Sequence, residues 1–121
     1  MPTRILIVDD HPLFRDGLRA LLQRQSDFTV VGEADTVASA VRLAQETQPD
    51  VVLMDLSLPD GGGVEATRQI VDRLPNVHVI ALTVHDEPEM LTAMAQAGAH
   101  GYILKETRSA DLLRAVRMVV T

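Results

Sequence analysis

The sequence predicts an α/β fold: an open, doubly wound sheet of five parallel strands with helices on both faces. Two patterns and one limit on size predict it. Short aliphatic runs alternate five times with segments of helical periodicity, from one end of the chain to the other. The runs end in chemistry: Asp9 and Asp10 follow the first, Asp55 the third, Thr83 the fourth and Lys105 the fifth. At 121 residues the chain suits one domain with one core, and five units are too few for the usual eight-fold barrel. What remains is a flavodoxin-like strand order, 2-1-3-4-5, with right-handed crossovers. In that order the first and third strands flank the point where ligands bind beyond the carboxyl ends of the strands.

The expected strands are Arg4–Val8, Thr29–Glu33, Val51–Met54, Val77–Leu82 and Gly101–Leu104. The first helix, Pro12–Gln23, has proline at a first helical position and sets Leu13, Leu18, Leu21 and Leu22 largely on one face. The second, Val37–Thr47, follows Asp35 and Thr36, both good N-caps, and repeats Val37, Ala40, Val41 and Ala44. The third, Gly63–Leu74, carries Val64, Thr67, Ile70, Val71 and Leu74 and stops before Pro75. Before it, Pro59-Asp60-Gly61-Gly62-Gly63 reads as a loop. The fourth, Glu89–Ala97, closes at Gly98, and the fifth, Ala110–Val120, takes Ser109 as its N-cap and buries Leu112, Leu113, Val116 and Val119 or Val120. That helix ends on Met118-Val119-Val120-Thr121 with no cap, which suggests a chain cut where another segment followed.

Composition excludes several classes. Hydrophobic content is 46% with only 2% aromatic residues, as packed parallel strands under helices require. A net charge of −6 disfavours direct nucleic-acid binding, so any DNA contact needs another domain. There is no cysteine, hence no disulfide and no thiolate metal site. No apolar run nears the roughly 20 residues that span a bilayer, and the N-terminus lacks the features of a signal peptide. A soluble cytoplasmic protein without membrane contact is the expectation.

Neighbouring carboxylates repel, and Asp9 and Asp10 at a strand end gain from a shared hard cation such as Mg2+, with Mn2+ as a substitute. The plainer reading, one acid capping the first helix and the other solvated, loses ground once Asp55 faces the pair. Beside a divalent ion a carboxylate can attack a phosphoryl donor, which makes Asp55 the candidate nucleophile. The backbone carbonyl of Ser57 could complete the metal shell, leaving its hydroxyl free. Thr83 and Lys105 could contact phosphoryl oxygens, although each alone would be an ordinary strand-end residue. His11 could reach the rim of the site, and His85, two residues past Thr83, could influence access of water. His78 and His100 show no spacing that suggests a partner, and zinc is disfavoured for all four histidines. Met54, Met90, Met94 and Met118 read as core or interface filler. An exposed Leu13 would favour dimerisation with the last helix.

With these residues in place the chain resembles the receiver domain of two-component response regulators over essentially all 121 residues. The motifs are Ile7-Val8-Asp9-Asp10-His11, Val52-Leu53-Met54-Asp55-Leu56, Leu82-Thr83 and Gly101-Tyr102-Ile103-Leu104-Lys105. Asp9-Asp10-His11-Pro12-Leu13, with Gly63-Val64-Glu65-Ala66 and the run through Glu106, is similar to the NarL/FixJ subfamily. The resemblance implies that Asp55 is the phosphoacceptor, Asp9 and Asp10 the Mg2+ acids, Lys105 a phosphoryl contact, Thr83 the switch hydroxyl and Tyr102 the aromatic switch. It implies a sensor histidine kinase as donor, with small acyl phosphates as substitutes, and homodimerisation on phosphorylation. It also implies a C-terminal helix-turn-helix that would carry DNA binding and that this chain does not contain. Many receivers have proline after the lysine, in a cis bond; Glu106 stands there, which leaves the isomer open.

The domain would catalyse its own phosphorylation and dephosphorylation without turning over an external substrate. Among rivals, a haloacid-dehalogenase-type phosphatase needs a second acid two residues after the nucleophile, where this chain has Ser57. Nucleotide binding fails for want of a Gly-rich phosphate loop with its lysine. A phosphorylation-independent interaction module with the same fold is the remaining alternative, and the intact set of acids argues against it.

Overall fold

The computed structural model describes residues 1–59, 62–84 and 88–121. Within them the strands are β1 (Thr3–Val8), β2 (Phe28–Ala34), β3 (Val51–Asp55), β4 (His78–Thr83) and β5 (Gly101–Leu104). The helices are α1 (Pro12–Gln23), α2 (Val37–Thr47), α3 (Gly62–Arg73), α4 (Pro88–Ala97) and α5 (Ser109–Val119). The five strands are parallel in the order β2-β1-β3-β4-β5, as the alternation predicted.

Side chains alternate across a strand, so each central strand feeds two cores. Ile5, Ile7, Val51, Leu53, Ile80 and Leu82 pack with Leu18 and Leu22 of α1 and Leu112, Leu113 and Val116 of α5. Leu6, Val8, Val52, Met54, Val79 and Ala81 face the other way, onto α2, Ala66 and Ile70 of α3, and Met94 of α4. Both faces are therefore covered, which is why β3 is apolar at Val51, Val52, Leu53 and Met54 without a polar alternate.

Most boundaries move by one residue, each for a visible reason. Val77 is not a strand residue, because its N–H turns back to the Leu74 carbonyl at 3.1 Å. Thr83 and Asp55 join their strands through the pairs Thr83↔Leu104 and Asp55↔Leu82. Phe28 and Ala34 extend β2 because they pair with Thr3 and Val8. Thr36 caps α2 through a reciprocal pair with Ser39, whose N–H it accepts at 3.0 Å. Ser109 is not a cap: it is the first residue of α5, and the Arg108 carbonyl accepts from Asp111 and Leu112.

Gly62 and Gly63 belong to α3 rather than to a loop, while Asp60 and Gly61 lie outside the described residues. Leu13 is 87% exposed and does not share the buried face of α1. Val120 lies beyond α5 and is partly exposed; Val119 packs against the core instead. Met54 and Met94 are core residues, whereas Met118 is exposed. The described residues contain no cis peptide bond, so Lys105–Glu106 is trans.

The register assembles the site. Val8 lies opposite Met54, Asp55 opposite Leu82 and Thr83 opposite Leu104. Stepping one residue past each pair brings Asp9, Asp55, Thr83 and Lys105 to one rim of the sheet.

Candidate functional site

Among the described residues Asp9 and Asp55 are the most deeply buried acids, at 0% and 1% exposure, whereas the Asp10 side chain is one-third exposed. The N–H of Asp9 donates to the Ala34 carbonyl of β2 at 3.0 Å, which continues the ladder beyond Val8. Its carbonyl accepts 2.7 Å from Arg15 Nη1, and the same guanidinium donates through Nε to Glu33 Oε1 at 3.1 Å. Arg19 Nη1 holds the other oxygen of Glu33 at 2.7 Å. The two arginines thus pair with Glu33 and leave the site carboxylates to one another.

Asp9 Oδ1 accepts the backbone N–H of His11 at 2.8 Å, so one oxygen serves the local turn into α1. The Ser57 N–H donates to Asp55 Oδ1 at 3.1 Å in a similar turn, and the Ser57 residue is exposed. Each acid keeps another oxygen for the cavity. Asp9 Oδ2, Asp10 Oδ1 and Asp55 Oδ2 are buried and accept no hydrogen bond. Buried carboxylate oxygens without donors are expensive, and three from three residues at one place call for a cation.

Lys105 supplies part of that charge. Its Nζ lies 2.8 Å from Asp9 Oδ2 and 3.4 Å from Asp55 Oδ1, close enough for an ion pair but not aligned as a hydrogen bond to Asp9 Oδ2. It also stands 4.8 Å from the centre of the Phe14 ring, a cation–π contact that anchors the ammonium over α1. Its side chain is only 10% exposed, unlike the solvated surface lysine that it would ordinarily be.

Burial pushes the Asp55 carboxyl above the usual carboxylate range, and the charge of Asp9 and the carboxyl of Asp10 push the same way. The Ser57 amide and Lys105 oppose them. Ligand atoms from Asp9, Asp10, His11 and Asp55 all lie within 4.8 Å of one another, a grouping that can hold a metal ion. The donors are mainly hard oxygens, and they fit a hard divalent cation.

Thr83 is buried at the end of β4, and its carbonyl accepts the Lys105 N–H at 2.8 Å. Tyr102 is 53% exposed, beside a pocket of about 190 Å3 lined by Leu91, Met94, Ala95, Ala99 and His100. His85 lies outside the described residues. His11 does more than reach the rim: its Nδ1 is 3.0 Å from Asp9 Oδ1.

Three features were not legible in the sequence. Arg15 props the backbone of Asp9, and Gly63 packs on the backbone of Asp55. At the far end of the sheet, His78 and His100 meet edge to face at 4.9 Å, and His100 Nδ1 accepts the Val79 N–H at 3.2 Å. They are packed against each other, a contact that their spacing in sequence did not suggest. Their 22-residue separation gives no periodic cue; the β4–β5 neighbourhood joins them.

A doubly wound sheet with three acids and a lysine gathered at the carboxyl ends of its strands defines a receiver domain of two-component response regulators, a class of signalling proteins rather than metabolic enzymes. The chain belongs to that family: the response regulator receiver domain matches residues 5–117. It is 41% identical over 116 residues to the transcriptional regulatory protein DegU of Brevibacillus brevis, covering 96% of this chain and 49% of that protein. It is 42% identical to the response regulator GacA of Pseudomonas viridiflava, covering 96% and 54%. These are regulators of the NarL/FixJ type, and the chain spans about half the length of the curated relatives it matches.

Among solved structures it superposes on a two-component response regulator of the LuxR family from Aurantimonas sp. with a TM-score of 0.92 at 39% identity, covering 98% of this chain and 85% of that one. A CheY-like receiver domain protein from Methanospirillum hungatei gives 0.90 at 27%, covering 98% and 93%.

Proposed function

We propose that this domain is a phosphorylation-activated switch in which Asp55 accepts a phosphoryl group from the phosphohistidine of a sensor kinase. The observation that carries this reading is the set of buried oxygens without donors on Asp9, Asp10 and Asp55, with Lys105 beside them. Asp9, Asp10, Asp55 and the backbone carbonyl of Ser57 would hold Mg2+ or Mn2+. When bound, that ion neutralises the acids and the charge that develops on the phosphoryl oxygens.

A carboxylate oxygen of Asp55 attacks phosphorus, and an O–P bond forms as the N–P bond to the donor imidazole breaks. The electron pair of that bond stays on the imidazole nitrogen. Lys105 takes the place of a fixed cation at the phosphoryl oxygens, and Thr83 offers its hydroxyl to them. Ser57 and His85 stand as modulators of the approach of water.

Phosphorylation adds about −1.5 to −2 charge at this strand end. Thr83 and Lys105 follow that charge, and Tyr102 turns from its exposed position toward the pocket beside α4. The changed surface of α4, β5 and α5 would promote homodimerisation or release a C-terminal helix-turn-helix for DNA binding. The names of the relatives, transcriptional regulators, support that output. We place the protein in the cytoplasm, in keeping with its class and with the finding that no described helix is long and apolar enough to cross a membrane.

Intact-mass spectrometry tests the proposal. Acetyl phosphate with Mg2+ should add one phosphoryl mass to the wild type and none to Asp55→Ala or to the wild type in chelator. No adduct, together with failure to bind beryllofluoride, would leave a phosphorylation-independent interaction module.

A further inference from the structure

Among the described residues, His11 brings the one imidazole nitrogen to the group of ligand atoms from Asp9, Asp10 and Asp55. Its side chain is 61% exposed, yet Nδ1 points inward. It stands 3.0 Å from Asp9 Oδ1, 3.2 Å from Asp10 Oδ1 and 3.8 Å from Asp55 Oδ2. Two of those oxygens, on Asp10 and Asp55, are among the buried atoms that accept no hydrogen bond. Ligands at neighbouring corners of an octahedron with 2.0–2.1 Å bonds are about 3 Å apart. Nδ1 stands at about that spacing from the open oxygen of Asp10, in the place of a further corner beside it, and at a longer one from the open oxygen of Asp55. Lys105 Nζ, 3.4 Å from Nδ1, is the competing cation.

We propose that Nδ1 of His11 is an additional ligand that makes the Asp9–Asp10–Asp55 site selective for borderline divalent ions such as Ni2+ or Co2+. The inference rests on the metal reading above. Imidazole suits these ions, whereas Mg2+ prefers oxygen and retains water at its open corners. A hard ion therefore leaves the ring unused, and a borderline ion recruits it. The 3.0 Å contact to Asp9 Oδ1 needs the proton on Nδ1 as donor; a borderline ion displaces it, and with the ring proton on Nε2 the lone pair of Nδ1 faces the ion.

Even an all-oxygen site favours Ni2+ over Mg2+, so the informative quantity is the change on removing the imidazole. Calorimetric titration of tag-free wild type and His11→Ala with NiCl2 and with MgCl2 measures it. Ni2+ affinity should fall at least tenfold in His11→Ala, while Mg2+ affinity changes less than twofold. Cu2+ loaded at the site should show nitrogen hyperfine coupling in the wild type that disappears in His11→Ala. His100→Gln, which alters a histidine at the other end of the sheet, should leave both readouts in place.

Equal changes for Ni2+ and Mg2+, or nitrogen coupling that persists without His11, would overturn the inference while leaving Mg2+-dependent phosphorylation standing. Absence of Mg2+ binding by the wild type would instead overturn the metal reading itself.

Discussion

Gly63, at the start of α3, lies against the backbone of Asp55 with no room for a side chain between them. A Cβ there would overlap the Asp55 carbonyl oxygen and stand 3.0 Å from Leu56 Cα and 3.1 Å from the Asp55 carbonyl carbon. The obstacle is backbone, which cannot rotate aside as a side chain would. Gly63→Ala should therefore displace the strand end that carries the candidate nucleophile. We expect a loss of about 1–3 kcal/mol in urea unfolding, the usual cost of overpacking, and slower phosphorylation by acetyl phosphate. An alanine variant with unchanged unfolding midpoint and rate would refute the steric role.

The surroundings of Asp55 disfavour its ionised form: burial first, then the charge of Asp9, hold its carboxyl above the usual carboxylate range. Because its folded pKa is raised, the fold holds this proton more tightly than the unfolded chain does. The associated stability is complete below the unfolded value and is lost as pH rises through the folded one. Asp55→Asn removes that loss, so in chelator at pH 7.5 it should melt above the wild type, by about 2–5 °C if the relief is near 1 kcal/mol. At pH 4 the gap should narrow. A variant that melts below the wild type at pH 7.5 would contradict this account.

Arg15 touches Asp9 only through the main chain, donating 2.7 Å to its carbonyl, while Glu33 holds the guanidinium in place. Arg15→Ala should weaken Mg2+ binding several-fold by freeing the acid pair, a loss of about 1 kcal/mol, below the roughly 1.5–3 kcal/mol of a hydrogen bond to a charged group because Arg15 acts on the site only through the main chain. Glu33→Gln should reproduce part of that effect, because it loosens the same guanidinium. Unaltered Mg2+ affinity in both variants would remove Arg15 from the support of the site.

His100 accepts the Val79 N–H through an unprotonated Nδ1. Burial, and then the neighbouring His78, hold its pKa below the usual histidine value. The sign follows: its contribution is complete above the unfolded value of about 6.5 and is lost as pH falls through the folded one. The ring is exposed, so screening limits the effect to about 0.5 kcal/mol. Thermal melts of His100→Gln should be less sensitive than wild type to a change from pH 7.5 to 5.5. Equal sensitivity would assign the acid response to other groups.

The fold was legible because its signals are local and repeated. Aliphatic runs of strand length, helical spacing such as Val37, Ala40, Val41 and Ala44, and a stop at Gly98 each speak for the segment that contains them. Single-residue ends were less legible: the Val77 N–H goes to a turn, and Ser109 begins a helix that it was expected to cap. Those details depend on where one carbonyl points.

What the chain alone determined is the order of its elements and the residues that end its strands, since parallel strands send those ends to one rim. Tertiary structure decided how the ends meet. It set His11 Nδ1 among three carboxylates, carried Lys105 past β4 and β3 to Asp9, placed Arg15 under the Asp9 carbonyl and closed Gly63, which has no side chain, on the backbone of Asp55. These contacts join residues far apart in sequence, or depend on the angle of one side chain, and no periodic pattern encodes either.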